Sequence, residues 1–470
     1  SPRLRLLVKL LQPPAGRIES AAKKAPRGGM RGLLAIAVAV AAGFRLRSNS
    51  TSNPSHFVQK LVNFQNAQYY GEITLGDQTV LGVFDTGSFD VIVLSKKCQT
   101  CQGAVARLYD SSHSTTYKAT GKTAKYVFGS GPANAEIGQE LISVGGFQSH
   151  NQLFGEITSH QIPVLNKAKF SAIVGMGPGA GPKKMQALLM SFGVDEFSIC
   201  LERASGAPGW LTWGKDPRVD SPSMVHMPVI GLHHWAVRVW GVSANKMDFM
   251  MVLSNQTAGD GLLRSAIGDV SNTSFMAATT ASEGKKGVRL CSRGCVAIID
   301  SGTSTIVGPS VAIAALQQEI GKVNHDCSNL NALPELELEV ALPGGGSTML
   351  SLPPEAYVIK VRSELVANYM GNLPKVCVLA FSAMNKMTSG GPLWIMGMPF
   401  LRWYYSSFDR VSKTISVARA SGSCLPQTTV AFSNGTGTVS HDLVPPEPMD
   451  VDVDAALGPD LEEEEIDLVF

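Results

Sequence analysis

Two short stretches carry side chains whose types and spacing could do chemistry. Residues 81–95, LGVFDTGSFDVIVLS, and residues 296–309, VAIIDSGTSTIVGP, each run an apolar strand into an aspartate. A hydroxyl residue, a glycine and a further hydroxyl residue come next in both. A buried strand should not end on a carboxylate unless something satisfies it, because an unpaired ionised group away from water is very costly. Asp85 and Asp300 lie 215 residues apart, so any partnership between them must come from the fold. Brought face to face, two carboxyl groups cannot both ionise cheaply, and they share one proton over a broad acidic range. One ionised and one neutral carboxyl, with water between them, make a base and an acid in one site. That pairing suits attack of water on an amide carbonyl with no metal, no cofactor and no covalent intermediate.

An Asp-Thr-Gly or Asp-Ser-Gly tripeptide alone means little, and its plain reading is an Asx-turn closing a hairpin. Context makes these two specific. Each ends an apolar strand, each continues into Ser88-Phe89 or Thr303-Ser304, and each is matched downstream by an apolar segment ending in glycine, AIVG at 172–175 and WIMG at 394–397. Gly87 and Gly302 let the backbone approach closely where a side chain would block it. The matched order is a weak internal repeat with a period near 215 residues, as expected of two lobes with one ancestor.

The elements that must position the aspartates read as β-structure. YYGEITLG, TVLGVFDTG, DVIVLS, EIGQELISVGG, SAIVGMG, EFSICLE and GWLTWG in the first half are short segments broken by glycine, an antiparallel pattern with tight turns. HWAVRVWGVSA, VAIIDSGTS, LELEVAL, AYVIKV, LWIMGMPFLRWYYSSFD and TISVARA continue it in the second half. Helices are expected only at PKKMQALLMSFG and PSVAIAALQQEI. The organisation is a β lobe over 57–222 and a second over 223–424, with 245–285, rich in Ser, Asn, Thr and Gly, as a surface insertion. The segment 425–470, Pro-rich and then acidic through EEEEID, reads as a disordered tail.

At 470 residues the chain exceeds a single ordinary core. A net charge of +2 excludes a nucleic-acid protein defined by a basic surface. The near balance hides a basic start, in which Glu19 is the one acid of the first 47 residues, and an acidic end without Lys or Arg. From Met30, MRGLLAIAVAVAAGF has the basic start, apolar run and small residues of a signal peptide, so 30–43 reads as a signal or an uncleaved anchor. Residues 1–29 then form an unexplained basic leader upstream of a start at Met30, and 44–56 a linker or short pro-segment. Asn49, Asn255, Asn272 and Asn434 head Asn-x-Ser/Thr sites, compatible with the secretory route. Eight cysteines, with the close pairs Cys98/Cys101 and Cys291/Cys295, fit small-loop disulfides in an oxidising compartment. A thioredoxin-like or zinc reading of Cys98-x-x-Cys101 is disfavoured, because the next segment is a polar loop instead of a helix. His233-His234-Trp235 reads as part of an alternating strand, with no third ligand at useful spacing for a metal.

From about residue 57 to 420 the chain resembles the pepsin family of aspartic proteases, an all-β, mainly antiparallel, bilobal fold with the active-site cleft between lobes. The resemblance rests on the two Asp loops and on SVGGFQSHNQLFG, WGKDP and FLRWYYSSFDR. It implies that Asp85 and Asp300 are the catalytic pair, that Thr86 and Ser301 grip the two loops together, and that Ser88 and Thr303 orient the carboxylates, with Gly87 and Gly302 in support and Ser304 among the substrate-binding residues. It also implies disulfides Cys98–Cys101, Cys291–Cys295 and Cys327–Cys377, leaving Cys200 and Cys424 to pair. KYVFGSGPANAEIG, residues 125–138, matches the family's flap over the cleft, with Gly129, Ser130 and Gly131 near its tip. There the chain departs from the pattern. Phe128 stands where the family has a flap tyrosine, and Ile92 where that hydroxyl meets a tryptophan indole. Ser171 replaces the usual aspartate before AIVG. Losing both partners of a hydrogen bond costs far less than orphaning one, so an apolar flap contact is expected.

Together these features read as an aspartic endopeptidase with an acidic optimum, cutting between apolar residues of a peptide or protein substrate. It would act as a monomer in the secretory route or an acidic lysosome- or vacuole-like compartment. Two alternatives remain at this point: a weak or inactive protease-like protein that holds peptide in the cleft, and an extracellular scaffold built around the acidic tail.

Overall fold

Alternating sequences become half-buried strands, and continuous apolar runs become strands buried on both faces. LELEVA forms Leu336–Ala341, its leucines and valine buried and its glutamates half exposed. VIVL and CVAII form Val91–Leu94 and Cys295–Ile299, buried along their whole lengths. Buried runs of that kind belong to strands with parallel neighbours. The computed structural model describes residues 54–101, 104, 106–179, 185–244, 251–253, 275–277, 291, 294–362, 371–420, 424 and 449–451. The leader, the signal segment, all four Asn-x-Ser/Thr sites, EEEEID and most of 245–285 lie outside the described residues.

One antiparallel sheet draws on both halves of the chain. Its order is Val225–Pro228, Thr414–Arg419, Tyr404–Asp409, Glu196–Leu201, Gly209–Trp213 and Phe57–Phe64, three strands from each half. The halves meet where Ser406–Asp409 pairs with Glu196–Ile199. Phe197 and Phe408 stack there at 4.8 Å with their planes 9° apart. Aromatic burial of this kind contributes a large share of core energy.

Around that sheet the internal repeat is plain. Gln78–Asp85 runs parallel to Ala172–Gly175, which runs antiparallel to Val91–Leu94, which in turn runs parallel to Phe147–His160. Cys295–Ile299 runs parallel to Gly391–Met396, which runs antiparallel to Ile306–Gly308, which in turn runs parallel to Phe381–Ala383. In each half the chain passes through the Asp loop and returns on the far side of the strand that the downstream AIVG or WIMG provides. Gly175 pairs with Asp85 and Met396 with Ile299, so those segments sit beside the aspartates.

Four cysteine pairs lie at bonding distance: Cys98–Cys101, Cys291–Cys295, Cys327–Cys377 and Cys200–Cys424. The last ties the strand Glu196–Leu201 to the end of the second half.

Three local readings need correction. The helix expected over 182–193 is confined to Leu188–Phe192, since Ala187 is extended (φ −61°, ψ 141°) and residues 180–184 lie outside the described set. His233 and His234 precede the strand Ala236–Ala244 and lie in a bend. Within the tail, Met449–Val451 pairs in parallel with Ile359–Val361. The strand Val358–Arg362 pairs on its other side with Lys375–Leu379, leaving an edge that another strand can extend. Among the described residues no helix is long and apolar enough to cross a membrane.

Candidate active site

Each Asp loop is held by the other. Thr86 N donates to Ser301 Oγ at 3.0 Å and Ser301 N donates to Thr86 Oγ1 at 2.9 Å. The same hydroxyls reach past each other: Thr86 Oγ1 donates to Ile299 O at 2.7 Å, and Ser301 Oγ to Phe84 O at 2.5 Å. All four bonds are buried, so removing one hydroxyl leaves polar groups orphaned at a cost of about 1–3 kcal/mol each. Ser304 adds a fifth tie, its Oγ donating to Ala67 O at 3.0 Å.

The glycines then let the carboxyls converge. A Cβ placed on Gly87 would stand 2.6 Å from Asp300 Cγ, and one placed on Gly302 would stand 2.6 Å from Asp85 Cγ. No real side chain fits at that distance, so each loop's glycine makes room for the opposite loop's carboxyl. Asp85 and Asp300 are 9% and 8% exposed and lie within hydrogen-bonding reach of one another. Gly87 N donates to Asp85 Oδ1 at 2.9 Å and Gly302 N to Asp300 Oδ1 at 2.7 Å. Thr303 Oγ1 donates to Asp300 Oδ2 at 2.5 Å. Ser88, its counterpart, lies close enough to favour ionised Asp85 but completes no well-aligned bond through its buried Oγ. Burial pushes the Asp85 carboxyl well above the usual carboxylate range, and the charge of Asp300 and the hydrogen bond to it push the same way. Two acids joined like this can act as acid and base toward one water.

A family model described as eukaryotic aspartyl protease matches residues 68–260 and 264–420. The chain belongs to the eukaryotic aspartyl protease family. Its relatives include renin of Canis lupus familiaris, 28% identical over 393 residues that cover 80% of this chain and 84% of renin. Cathepsin D of Rattus norvegicus is 30% identical over 387 residues, 77% of this chain and 82% of its own. Pepsin A of Canis lupus familiaris is 26% identical over 377 residues, 77% and 83% of the two chains. The chain is thus an aspartic-type endopeptidase, a hydrolase that acts on peptides.

The segment expected to form a flap is part of the hairpin of Lys118–Phe128 and Gly131–Val144, in which Phe128 pairs with Gly131 and Gly129-Ser130 form the tip. Gly131 takes φ +134°, and a Cβ there would run into Gln161 O. Ile92 is 2% exposed and packs with Tyr70 and Tyr126 in an apolar cluster that Phe128 joins. Sequence reasoning misses Tyr126. It lies two residues before Phe128, hence on the same face of the strand, and stacks on it at 6.3 Å with the planes 18° apart. A Cβ on Gly155 would meet Ile92 Cγ2 and Tyr126 Oη, both at 3.0 Å. The Tyr126 hydroxyl, raised in pKa first by burial and then by Asp90, also reaches Met185 Sδ at 3.9 Å. A phenol therefore does lie near Ile92, contributed from a different rung of that hairpin. KYVF carries the signal, because period 2 puts Tyr126 and Phe128 on one face.

Ser171, which replaces the usual aspartate, donates its Oγ to Arg107 O at 2.6 Å. Among the described residues, Cys98, Cys101 and His160 bring metal-ligand atoms within 4.8 Å of one another. Both sulfurs are joined in the disulfide and His160 Nδ1 accepts from Ile162 N at 3.1 Å, so the group offers no thiolate to an ion. His234 is a second residue that the sequence underplays: it is buried beside Asp300, whose charge acts on it.

Proposed function

We propose that Asp85 and Asp300 are the catalytic pair of this endopeptidase and cleave peptide bonds by activating one water. The observation that carries this reading is the reciprocal seating of the two loops, in which each glycine makes room for the opposite carboxyl. Asp300 takes two donated hydrogen bonds, from Gly302 N and Thr303 Oγ1, where Asp85 takes one from Gly87 N. Donors favour the charged form, so Asp300 is the ionised member and Asp85 holds the proton. Water attacks the carbonyl carbon and gives a proton to Asp300, while Asp85 protonates the carbonyl oxygen. The diol collapses as Asp300 returns its proton to the leaving amine and Asp85 takes one back from a diol hydroxyl. Every proton is accounted for, and the site returns to its starting state.

The pair requires one proton between two buried acids, which sets an acidic working range. Phe128, partly exposed and packed on the buried Tyr126 and Ile92, gives the flap side an apolar contact, suited to apolar residues around the cleaved bond. Four disulfides fit synthesis along an oxidising, secretory route. The departures at Phe128 and Ile92 favour the second reading, a peptide-holding protein of low activity, while the intact loops and the Tyr126 phenol favour turnover. Hydrolysis of a denatured protein across the acidic range decides between them: we expect cleavage that a statine-type inhibitor blocks and that Asp300→Asn loses. A variant cleaving like the parent would overturn the assignment.

A further inference from the structure

The two Asp strands each have an antiparallel neighbour, and the registers can be compared. Ala236 pairs with Ile298, and Ile299 N donates to Trp235 O at 3.0 Å, so the next cross-strand position to Asp300 is His234. Tyr70 pairs with Val83, and the same count places Gln68 opposite Asp85. Counted one step past these pairs, the bend at His234 comes level with Asp300, and Gln68 comes level with Asp85. The neighbouring Trp235 anchors the backbone at His234, being fully buried with its Nε1 donating to Met176 O at 2.7 Å. The rings of His234 and Phe89 meet in a T-shaped contact with centroids 4.8 Å apart, and Phe89 belongs to the loop that carries Asp85. His234 is 6% exposed, so its interaction with Asp300 is poorly screened.

We propose that His234 is a positioning residue for the proton of the pair: as an imidazolium beside Asp300, it holds Asp300 ionised and leaves the shared proton on Asp85. This rests on the catalytic reading above. The titratable groups facing it are Asp300 across the strands, His233 beside it, and Asp85 through the pair. Burial lowers the His234 pKa to about 4, with Asp300 acting to raise it and His233 to lower it. The positive charge therefore develops only at strongly acidic pH, where it faces Asp300. The same hydroxyl-to-carboxylate bond from Thr303, lacking at Ser88, biases the pair in the same direction.

The test is the pH profile of kcat/KM for the parent, His234→Gln and His234→Asn, each first shown by its melting curve to be folded. Removing the cation should move the acid limb upward by about one pH unit. The ratio of parent to variant should be largest at the most acidic pH and fall to a constant above about pH 6, where the parent's imidazole is uncharged. A uniform loss at every pH, with the limb unmoved, would overturn the proposal and leave His234 a packing residue. A second readout does not need turnover. In protein labelled with 13C at the aspartate carboxyls, the lower titration step of the pair should rise in both variants. An unmoved step overturns the proposal even in an active enzyme. A moved step in a protein that cleaves nothing keeps it and overturns the catalytic reading instead.

Discussion

The Asp85 and Asp300 loops are built to one plan and surrounded differently. Both end a buried strand, both are crossed by the partner's hydroxyl, and both leave a glycine where the opposite carboxyl must sit. Yet Asp300 accepts from Thr303 and has His234 buried near it in the bend before Ala236–Ala244, while Asp85 has Ser88 without a well-aligned bond and has Gln68 at the matching end of its neighbouring strand. Backbone symmetry brings two acids together. Side-chain asymmetry decides which of them keeps the proton.

The comparison can be broken most forcefully at the shared elements. Asp85→Asn and Asp300→Asn should each lower kcat by at least about a thousandfold, since groups that act as a unit fail as a unit. Assay of denatured protein at acidic pH checks this, and a large inequality between the two would mean that only one carboxyl takes part. Gly87→Ala and Gly302→Ala come next. Each pushes a Cβ to 2.6 Å from the opposite Cγ, so both should lose most activity and melt at lower temperature. If one alanine were tolerated, the loops would not be seated as equals.

The asymmetry is sharpened by smaller effects. Asp85 has a folded-state pKa raised above its unfolded value, so its contribution is fully present below the unfolded pKa and is lost as pH rises through the folded one. Asp85→Asn should therefore melt higher than the parent at neutral pH, with the gain shrinking as pH falls into the acidic range; thermal scans at several pH values measure it. Smallest of all is the contrast between hydroxyls. Thr303→Val removes a bond to a carboxylate, worth about 1.5–3 kcal/mol, and should shift the acid limb of kcat/KM upward by about a unit. Ser88→Ala removes no well-formed bond and should move that limb by no more than about a few tenths of a unit.

Much of this was legible in the sequence because it is local. An apolar run ending in Asp-Thr-Gly or Asp-Ser-Gly announces both the strand and the loop, and the repeat of that phrase announces the two halves. The disulfide reading of Cys98/Cys101 and Cys291/Cys295 rests on separations of three and four residues. The features that escaped depend on register between distant segments. His234 gains its meaning only when its bend lies beside Asp300, 66 residues on. Tyr126 gains its meaning only when neighbouring strands place Gly155 and Ile92 near its hydroxyl. The short helix Leu188–Phe192 shows the same limit from the other side, since helical composition over 182–193 gives way to an extended Ala187.

The central claim is that the two loops place one proton between two carboxyls. It is tested most directly by following the pH titration of the labelled aspartate carboxyls in the parent and in each Asn variant. We predict two well-separated steps for the pair in the parent, and their replacement by a single step when either partner is Asn. Two independent steps in the parent, each left unchanged by substitution of the other residue, would contradict the account.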